Sequence, residues 1–547
     1  MNKAKTKYLS AGVEVLFVVA IYLFWAIVYP HLLSYQEQNQ LFLFSSDYFI
    51  HDISVAGGLA DYISEFIVQF FYLPWLGAIL LAGVYLAMQT LSWSVLKQRN
   101  CRLAFLYSFI LPLLTLYFMG FIQFTMSYPV ALCMALLMAW LSGKKSMIPD
   151  IVVIPLLYWT IGPLVWTYTL LRFVAKGWRY SPFVLVTLGS QLAAYYFLLP
   201  QYPLSEAMGG INYLQTPNLF VPGMQIGMAV ILPLVIFSHQ IFKNMRFPVV
   251  AIVAMLGIWL TTDSEVRGSI YDKSTFELLR QDYLIRNEKW NDIIANAEKF
   301  TVNTPFWSNS VNLALAQTGQ LADRQFSFYQ SGPNALVMAS IRDNTSDFPS
   351  MEAFFRLGMV NSSLRYAHDL QESIVSGRKS GWLTKRIAEC LIINGQYNPA
   401  IKHLNLLKKT VFYRAWACEA ETLIQAGNDK SSIQQREKRI NAHPVYGKLR
   451  RFRLKENFLY NYGEIDKMFG LLFSGNVKNK MALDYFVAQV LLNGNMQLLQ
   501  GALQCAQQYG GYYSMPAGYM DAVKCIQAKG DLPGSPYADY VARMRNQ

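Results

Sequence analysis

Residues 150–179, DIVVIPLLYWTIGPLVWTYTLLRFVAKGWR, constrain this chain most, because two incompatible folds can be written for them. As one helix the stretch crosses a membrane once. As two short helices meeting at Gly162-Pro163 it enters and returns on the same side. A bilayer core of roughly 30 Å needs about 20 helical residues. Residues 150–161 and 163–176 are each shorter than that, while 151–171 together would fit. Length leaves both forms open, so charge must discriminate.

Apolar runs at 11–29, 73–95, 103–119, 121–141, 183–199, 224–242 and 247–262 predict membrane spans. The basic residues of this half sit between them in short clusters: Lys3, Lys5 and Lys7; Lys97, Arg99 and Arg102; Lys144 and Lys145; Lys243 and Arg246. If 150–176 is a hairpin, Arg172, Lys176 and Arg179 join the others on one side. All 13 Lys and Arg of the half are then cytoplasmic. A single crossing would put five of them outside, so the positive-inside bias favours the hairpin. A Pro-kinked single helix is the alternative. The N-terminal run follows three lysines but has no small-x-small cleavage site before Pro30, so it reads as an uncleaved anchor.

Between the first two spans, residues 31–72 carry Glu37, Asp47, Asp52, Asp61 and Glu65 and no Lys or Arg. Within them, 61–72 (DYISEFIVQFFY) sets Tyr62, Ile63, Phe66, Ile67, Phe70 and Phe71 opposite Asp61, Ser64, Glu65 and Gln69. That spacing predicts an amphipathic helix lying in the outer interface. An early, tilted start of the second span is the other reading.

After residue 262 the spans stop and the composition becomes that of a soluble domain. Turn signals recur, ending at Trp290, Leu321, Leu364, Tyr397, Lys430, Ile465, Met496 and Leu532, spaced 31, 43, 33, 33, 35, 31 and 36 residues apart. A period near 34 predicts paired helices stacked as a solenoid with a free concave surface for a protein partner. The 43-residue step implies an inserted loop around 330–350. The expected fold is therefore all-α: a polytopic transmembrane domain over 1–262, then a TPR-like α-solenoid over 263–547. The segment GQYNPAIKHL at 395–404 resembles the tetratricopeptide consensus, with Tyr397 and Ala400 as its interlocking large and small residues. The basic run 438–453 reads as a solvated face.

A net charge of +13 does not imply nucleic acid, because the basic residues of the first half follow membrane topology rather than a phosphate-binding groove. The six cysteines lack metal spacing and read as small core residues; only Cys505 and Cys525 are close enough for a local bridge. Nucleotide, zinc and serine-hydrolase signatures are missing, so no cofactor or metal is expected. The acids of the outer loop remain as the chemical signal.

The loop acids, the interfacial helix and the TIGP turn at 160–163 together resemble the layout of the GT-C superfamily of membrane glycosyltransferases. With the C-terminal repeats, the chain is similar to the TPR-bearing membrane O-mannosyltransferases. The resemblance implies sugar transfer from a polyprenyl-phosphate donor to an acceptor outside the cytoplasm, with a carboxylate as general base on the acceptor hydroxyl. Asp47 is the first candidate, since it lies between LFLF and Tyr48-Phe49, where partial burial would raise its pKa. Asp52, Glu37 and His51 follow. Arg267 and Lys273, just past the last predicted span, are the basic residues placed to hold a lipid phosphate. The implied location is an inner (plasma) membrane, with the N-terminus cytoplasmic and the repeat domain outside. A non-catalytic envelope scaffold displaying a TPR-type platform is the rival expectation.

Overall fold

The computed structural model describes residues 3–143, 145–215, 221–241, 255–259, 262–343, 345–454, 462–494, 496–509, 512, 514–528 and 532–545. Regular structure in these residues is helical, and no strand occurs among them apart from an isolated bridge between Phe124 and Leu214. Lys144, Lys243, Arg246 and most of the span expected at 247–262 lie outside the described residues. The chain forms two compact units, Met1–Phe276 and Glu277–Gln547. The first runs past residue 262 because Tyr271 and Phe276 pack on Tyr29 at 5.5 and 4.9 Å between ring centroids. Gly120 makes room for this: a Cβ there would lie 2.2 Å from the Tyr271 ring.

Among the described residues of the N-terminal unit, four helical stretches are long and apolar enough to cross a membrane: Tyr8–Val28, Pro74–Gln98, Asp150–Phe197 and Gly223–Gln240. The spans expected at 103–119 and 121–141 come out shorter, as apolar helices Ala104–Phe118 and Ser127–Ser142. At about 1.5 Å per residue both fall short of a roughly 30 Å core. The second begins late because residues before Ser127 turn and pair instead, Gln215 N–H donating to the Gln123 carbonyl at 2.8 Å.

The apolar stretch from Asp150 is folded back on itself. Asp150–Ile161 and Val165–Lys176 are separate helices joined at Gly162, whose φ of +57° suits only glycine without strain. A continuous helix would hold Asp150 and Arg172 about 33 Å apart. Instead the Arg172 guanidinium reaches the Asp150 carboxylate at 2.9 Å. Arg172 also donates to the carbonyls of Gly143 and Ser146 at 3.0 and 2.8 Å, and Tyr168 and Tyr180 donate to Asp150 at 2.8 and 2.6 Å. Both charged groups are buried, and their remaining hydrogen-bonding capacity is met locally. At the tip, Gly57 N–H donates to the Trp159 carbonyl and the Trp159 indole to the Ile53 carbonyl, both at 2.9 Å.

These contacts sort charge to opposite ends. Ser127, at the start of helix Ser127–Ser142, donates to Asp61, while the carbonyl of Ser142 at its other end accepts from Arg172. Gln98 donates to the Trp140 carbonyl, which brings the end of helix Pro74–Gln98, with Lys97 and Arg99, to that same second end. Sixteen helical residues set the two ends about 24 Å apart.

The C-terminal unit is a succession of helices from Trp290–Ala297 to Pro536–Arg545. Several predicted junctions are turns, with Gly319, Gly395 and Gly494 at φ of +70°, +76° and +64°. Ala400 is fully buried as the repeat pattern requires. Tyr397 is only half-buried, under the Arg436 guanidinium at 3.9 Å and donating to Glu437. Nor is the basic run simply solvated, since Arg450 donates to the carbonyls of Ile392 and Ile393, both at 3.1 Å, closing a helix C-terminus.

An open stack would let each repeat touch only its neighbours, whereas here distant segments meet. Tyr537 packs on Phe326 at 4.8 Å, and Ala517 N–H donates to Asp323 at 2.7 Å. The expected insertion is present but runs inward, with Ala335, Leu336 and Val337 fully buried. A buried loop must have its carbonyls satisfied. Asn309, Asn312, Tyr366 and Gln489 donate to those of Asn334, Ala335, Met338 and Pro333 at 2.6–3.0 Å. All six cysteines, Cys505 and Cys525 included, are free thiols.

Two outcomes follow. Arg172→Met strands a buried carboxylate and costs about 3–5 kcal/mol, most of it recovered in Asp150→Asn/Arg172→Met. Thermal unfolding in detergent measures both, and equal losses in the two variants would contradict the pairing. In the C-terminal unit, burial pushes the Asp484 carboxyl up to about 6 from an ordinary 3.8, while Tyr512 donates to it at 2.7 Å. The protonated form therefore adds stability that is present below pH 3.8 and lost as pH rises through 6. Asp484→Asn abolishes that slope and stabilises the unit by about 2–3 kcal/mol at pH 7. Parallel melting curves for the variant and the natural chain between pH 4.5 and 7.5 would contradict it.

Candidate functional site

Helix Gly58–Val68 and the single turn Gln69–Tyr72 that extends it fall where the sequence places an amphipathic helix, but its polar stripe is buried rather than exposed. Asp61, Ser64, Glu65 and Gln69 are buried, at 3, 0, 2 and 6% exposure, while Phe66 and Tyr72 are exposed. Positions i, i+3 and i+4 share one helix face, so Asp61, Ser64 and Glu65 form one inward stripe. Helix Pro30–Gln38 adds a second buried polar stretch, with His31, Gln36 and Glu37.

Each acid has a donor, from another helix for Asp61 and Glu65 and from the next residue for Glu37. Ser127 Oγ donates to Asp61 at 2.6 Å, Tyr48 Oη donates to Glu65, and Gln38 Nε2 donates to Glu37. Gln36 anchors its helix by donating to the Phe124 carbonyl at 3.2 Å. Tyr213 donates to the Gly57 carbonyl at 3.3 Å; burial first, then the charge of Asp61, pushes its phenol well above the ordinary value. It therefore remains a donor across the physiological range. Ser64 Oγ, Gln69 Oε1, Gln36 Oε1 and Gln40 Oε1 are buried without a hydrogen-bond partner. Buried polar atoms are rarely left so, and their occurrence on or next to the two helices that carry the three carboxylates marks the place as a candidate site. No group of three metal-ligating side chains occurs among the described residues.

The first-choice acid of the sequence reading lies elsewhere. Asp47 is exposed in the first turn of helix Ser46–Ile53, where a negative charge also suits the helix N-terminus. The expected partial burial does not occur, because Phe42 packs on Tyr48, Tyr62 and Phe66 at 5.6, 5.0 and 5.5 Å and leaves Asp47 outside that cluster. His51 is exposed and Asp52 half-buried on the same short helix. Glu37 alone of the four is buried. Arg267 stacks on Trp259 at 4.2 Å and donates to its carbonyl at 3.2 Å, and Lys273 is exposed at the start of its helix.

Asp61 and Glu65 carried a visible signal, since both sit in the loop without Lys or Arg. The sequence reading turned them outward because it set the helix in the interface with its polar face toward water. In the structure the same periodicity turns its polar edge inward.

Fold and site together define a helical protein whose N-terminal unit of apolar helices buries three carboxylates toward one end and an ion pair toward the other. The chain belongs to the family of unknown function DUF6057, whose model matches residues 5–540. No curated protein and no solved structure matches it.

Ser127→Ala removes a hydrogen bond to a buried carboxylate and lowers stability by about 1.5–3 kcal/mol, with Ser127→Thr retaining most of it. Melting temperatures in detergent measure this; an alanine variant as stable as the natural chain would place Asp61 outside a working hydrogen bond.

Proposed function

We propose that this is an integral membrane, glycosyltransferase-like protein with its basic end cytoplasmic and its acid cluster outside. Lys97, Arg99, Arg172, Lys176 and Arg179 then obey the positive-inside bias. The C-terminal helical unit, TPR-like in its turn spacing, is extracytoplasmic in this reading and recruits acceptor or protein partner. The donor is a sugar on a polyprenyl phosphate, with Arg267 and Lys273 available to its phosphate.

The single observation that carries the reading is the inward polar face of helix Gly58–Val68, with Asp61 and Glu65 buried at 3 and 2%. Buried acids at a membrane surface are costly and mark function by default. One of Glu37, Asp61 and Glu65 takes the proton of the acceptor hydroxyl, for which it must come within about 3 Å of that oxygen. Asp47, His51 and Asp52, on helix Ser46–Ile53, form the rim.

A second reading, a non-catalytic envelope scaffold, is favoured by one specific observation: each of the three acids already accepts a hydrogen bond from the protein. In that case the cluster serves only to hold helices together.

Glycan profiling separates the two. Under the transferase reading Asp61→Asn or Glu65→Gln lowers the glycan product by about 100-fold or more, a typical loss for an acid–base group. Protein level stays unchanged, and Asp47→Asn has a smaller effect. If Glu37→Gln, Asp61→Asn and Glu65→Gln together leave every glycan of the cell unaltered, the scaffold reading stands.

A further inference from the structure

The N-terminal unit contains a cavity of about 330 Å³, distinct from the acid cluster. Its wall is apolar: Leu164, Trp166 and Leu170 from the returning arm of the hairpin, and Ile226, Ala229 and Val230 from helix Pro222–Ile241. The polar groups at its margin are spoken for. Tyr128 Oη and Gln225 Nε2 both donate to the Gly209 carbonyl, at 3.0 and 3.3 Å. Gln225 Oε1 accepts from Val221 N–H at 3.1 Å, and the Trp166 indole donates to Gln191 at 3.0 Å.

No charged residue lines this space among the described residues, so a sugar, a phosphate or a peptide would gain little from them. It is roughly twice the size of the ~150 Å³ apolar cavity that stays dry and admits benzene. Ile226, 54% exposed, is the exposed residue of the described lining and so sets the mouth, and exposed Leu234 and Phe237 follow it along the helix. That stripe belongs to Gly223–Gln240, one of the stretches long and apolar enough to cross a membrane. The medium at the mouth is then hydrocarbon, and the species present there in bulk is the acyl chain.

We infer that this cavity takes one acyl chain of a membrane phospholipid, laid along Ile226, Leu234 and Phe237 with its end enclosed by Leu164, Trp166 and Ala229. The inference rests on the membrane-spanning reading of the helices and assigns the unit a lipid site apart from Asp61 and Glu65. The chain acts as a filler that holds the hairpin against helix Pro222–Ile241.

The test uses the full chain, extracted in mild detergent, delipidated, and reconstituted in vesicles of phosphatidylethanolamine and phosphatidylglycerol. Some of the phospholipid carries a photoreactive group near the end of its acyl chain. We expect crosslinks at 226–230 and at 164–170, and one phospholipid retained through washing in native mass spectra. Ala229→Trp fills the cavity and lowers both signals about tenfold, some 1.4 kcal/mol; Leu185→Trp, exposed on helix Ser181–Phe197 away from the cavity lining, leaves the retained lipid in place. Should Ala229→Trp fail to fold, Val230→Phe fills less of the cavity and serves the same purpose. Retention of only detergent or an isoprenoid lipid, or equal crosslinking in filled and natural chains, would overturn the inference. Alkaline carbonate extraction of native membranes separates its failure from that of the membrane reading. A chain that stays in the membrane but binds no phospholipid refutes the cavity assignment alone, whereas a chain that washes off refutes both.

Discussion

Helix Gly58–Val68 turns Asp61, Ser64 and Glu65 into the protein and Phe66 away from it, the reverse of what water selects. Other described residues of the N-terminal unit follow the same pattern. Leu16, Ile27, Leu156, Leu185 and Phe197 are exposed, while Gln89, Ser92, Thr115, Thr167 and Thr169 are fully buried. In water such a surface would be an aggregation liability; in hydrocarbon it is the only affordable one, since buried polar groups must find partners inside. The acid cluster follows from this inversion. The polar edge of the helix turns inward, and the protein supplies Tyr48 and Ser127 to meet it.

The Asp150–Arg172 pair performs the corresponding task at the other end. Buried ion pairs contribute little net stability, because desolvation offsets attraction. Their value lies in specifying geometry, and here the pair permits only the folded-back form of residues 150–176. A chain extended through Gly162 would leave each of these charges without its counterion. The hairpin in turn seats its tip on Gly57 and Ile53, immediately before the helix that carries Asp61 and Glu65.

Much of this was legible from residues alone. Gly162-Pro163 announced the reversal, the loop without Lys or Arg announced the acid end, and turn spacing announced the helical C-terminal unit with its insertion near 330–350. Three things were not legible. Whether the polar edge of 61–72 faces in or out depends on the surrounding medium, which periodicity does not encode. Asp47 was favoured on local sequence, yet burial is decided by Phe42 packing across to Tyr62 and Phe66, a tertiary choice. The return of Tyr537 and Ala517 to Phe326 and Asp323 joins residues about 200 positions apart, beyond the reach of any repeat-period argument.

The family shared by residues 5–540 is therefore better approached through the inverted helix than through sequence signatures of known enzymes, which the chain lacks. The most direct measurement is the accessibility of spin labels along helix Gly58–Val68 in proteoliposomes. Labels at Phe66 and Ile67 should collide with dissolved oxygen and not with a water-soluble nickel chelate, while labels at Ser64 and Val68 should meet neither. Nickel collisions at Ser64 together with a shielded Phe66 would put the polar edge in water, and the buried carboxylate site would not exist.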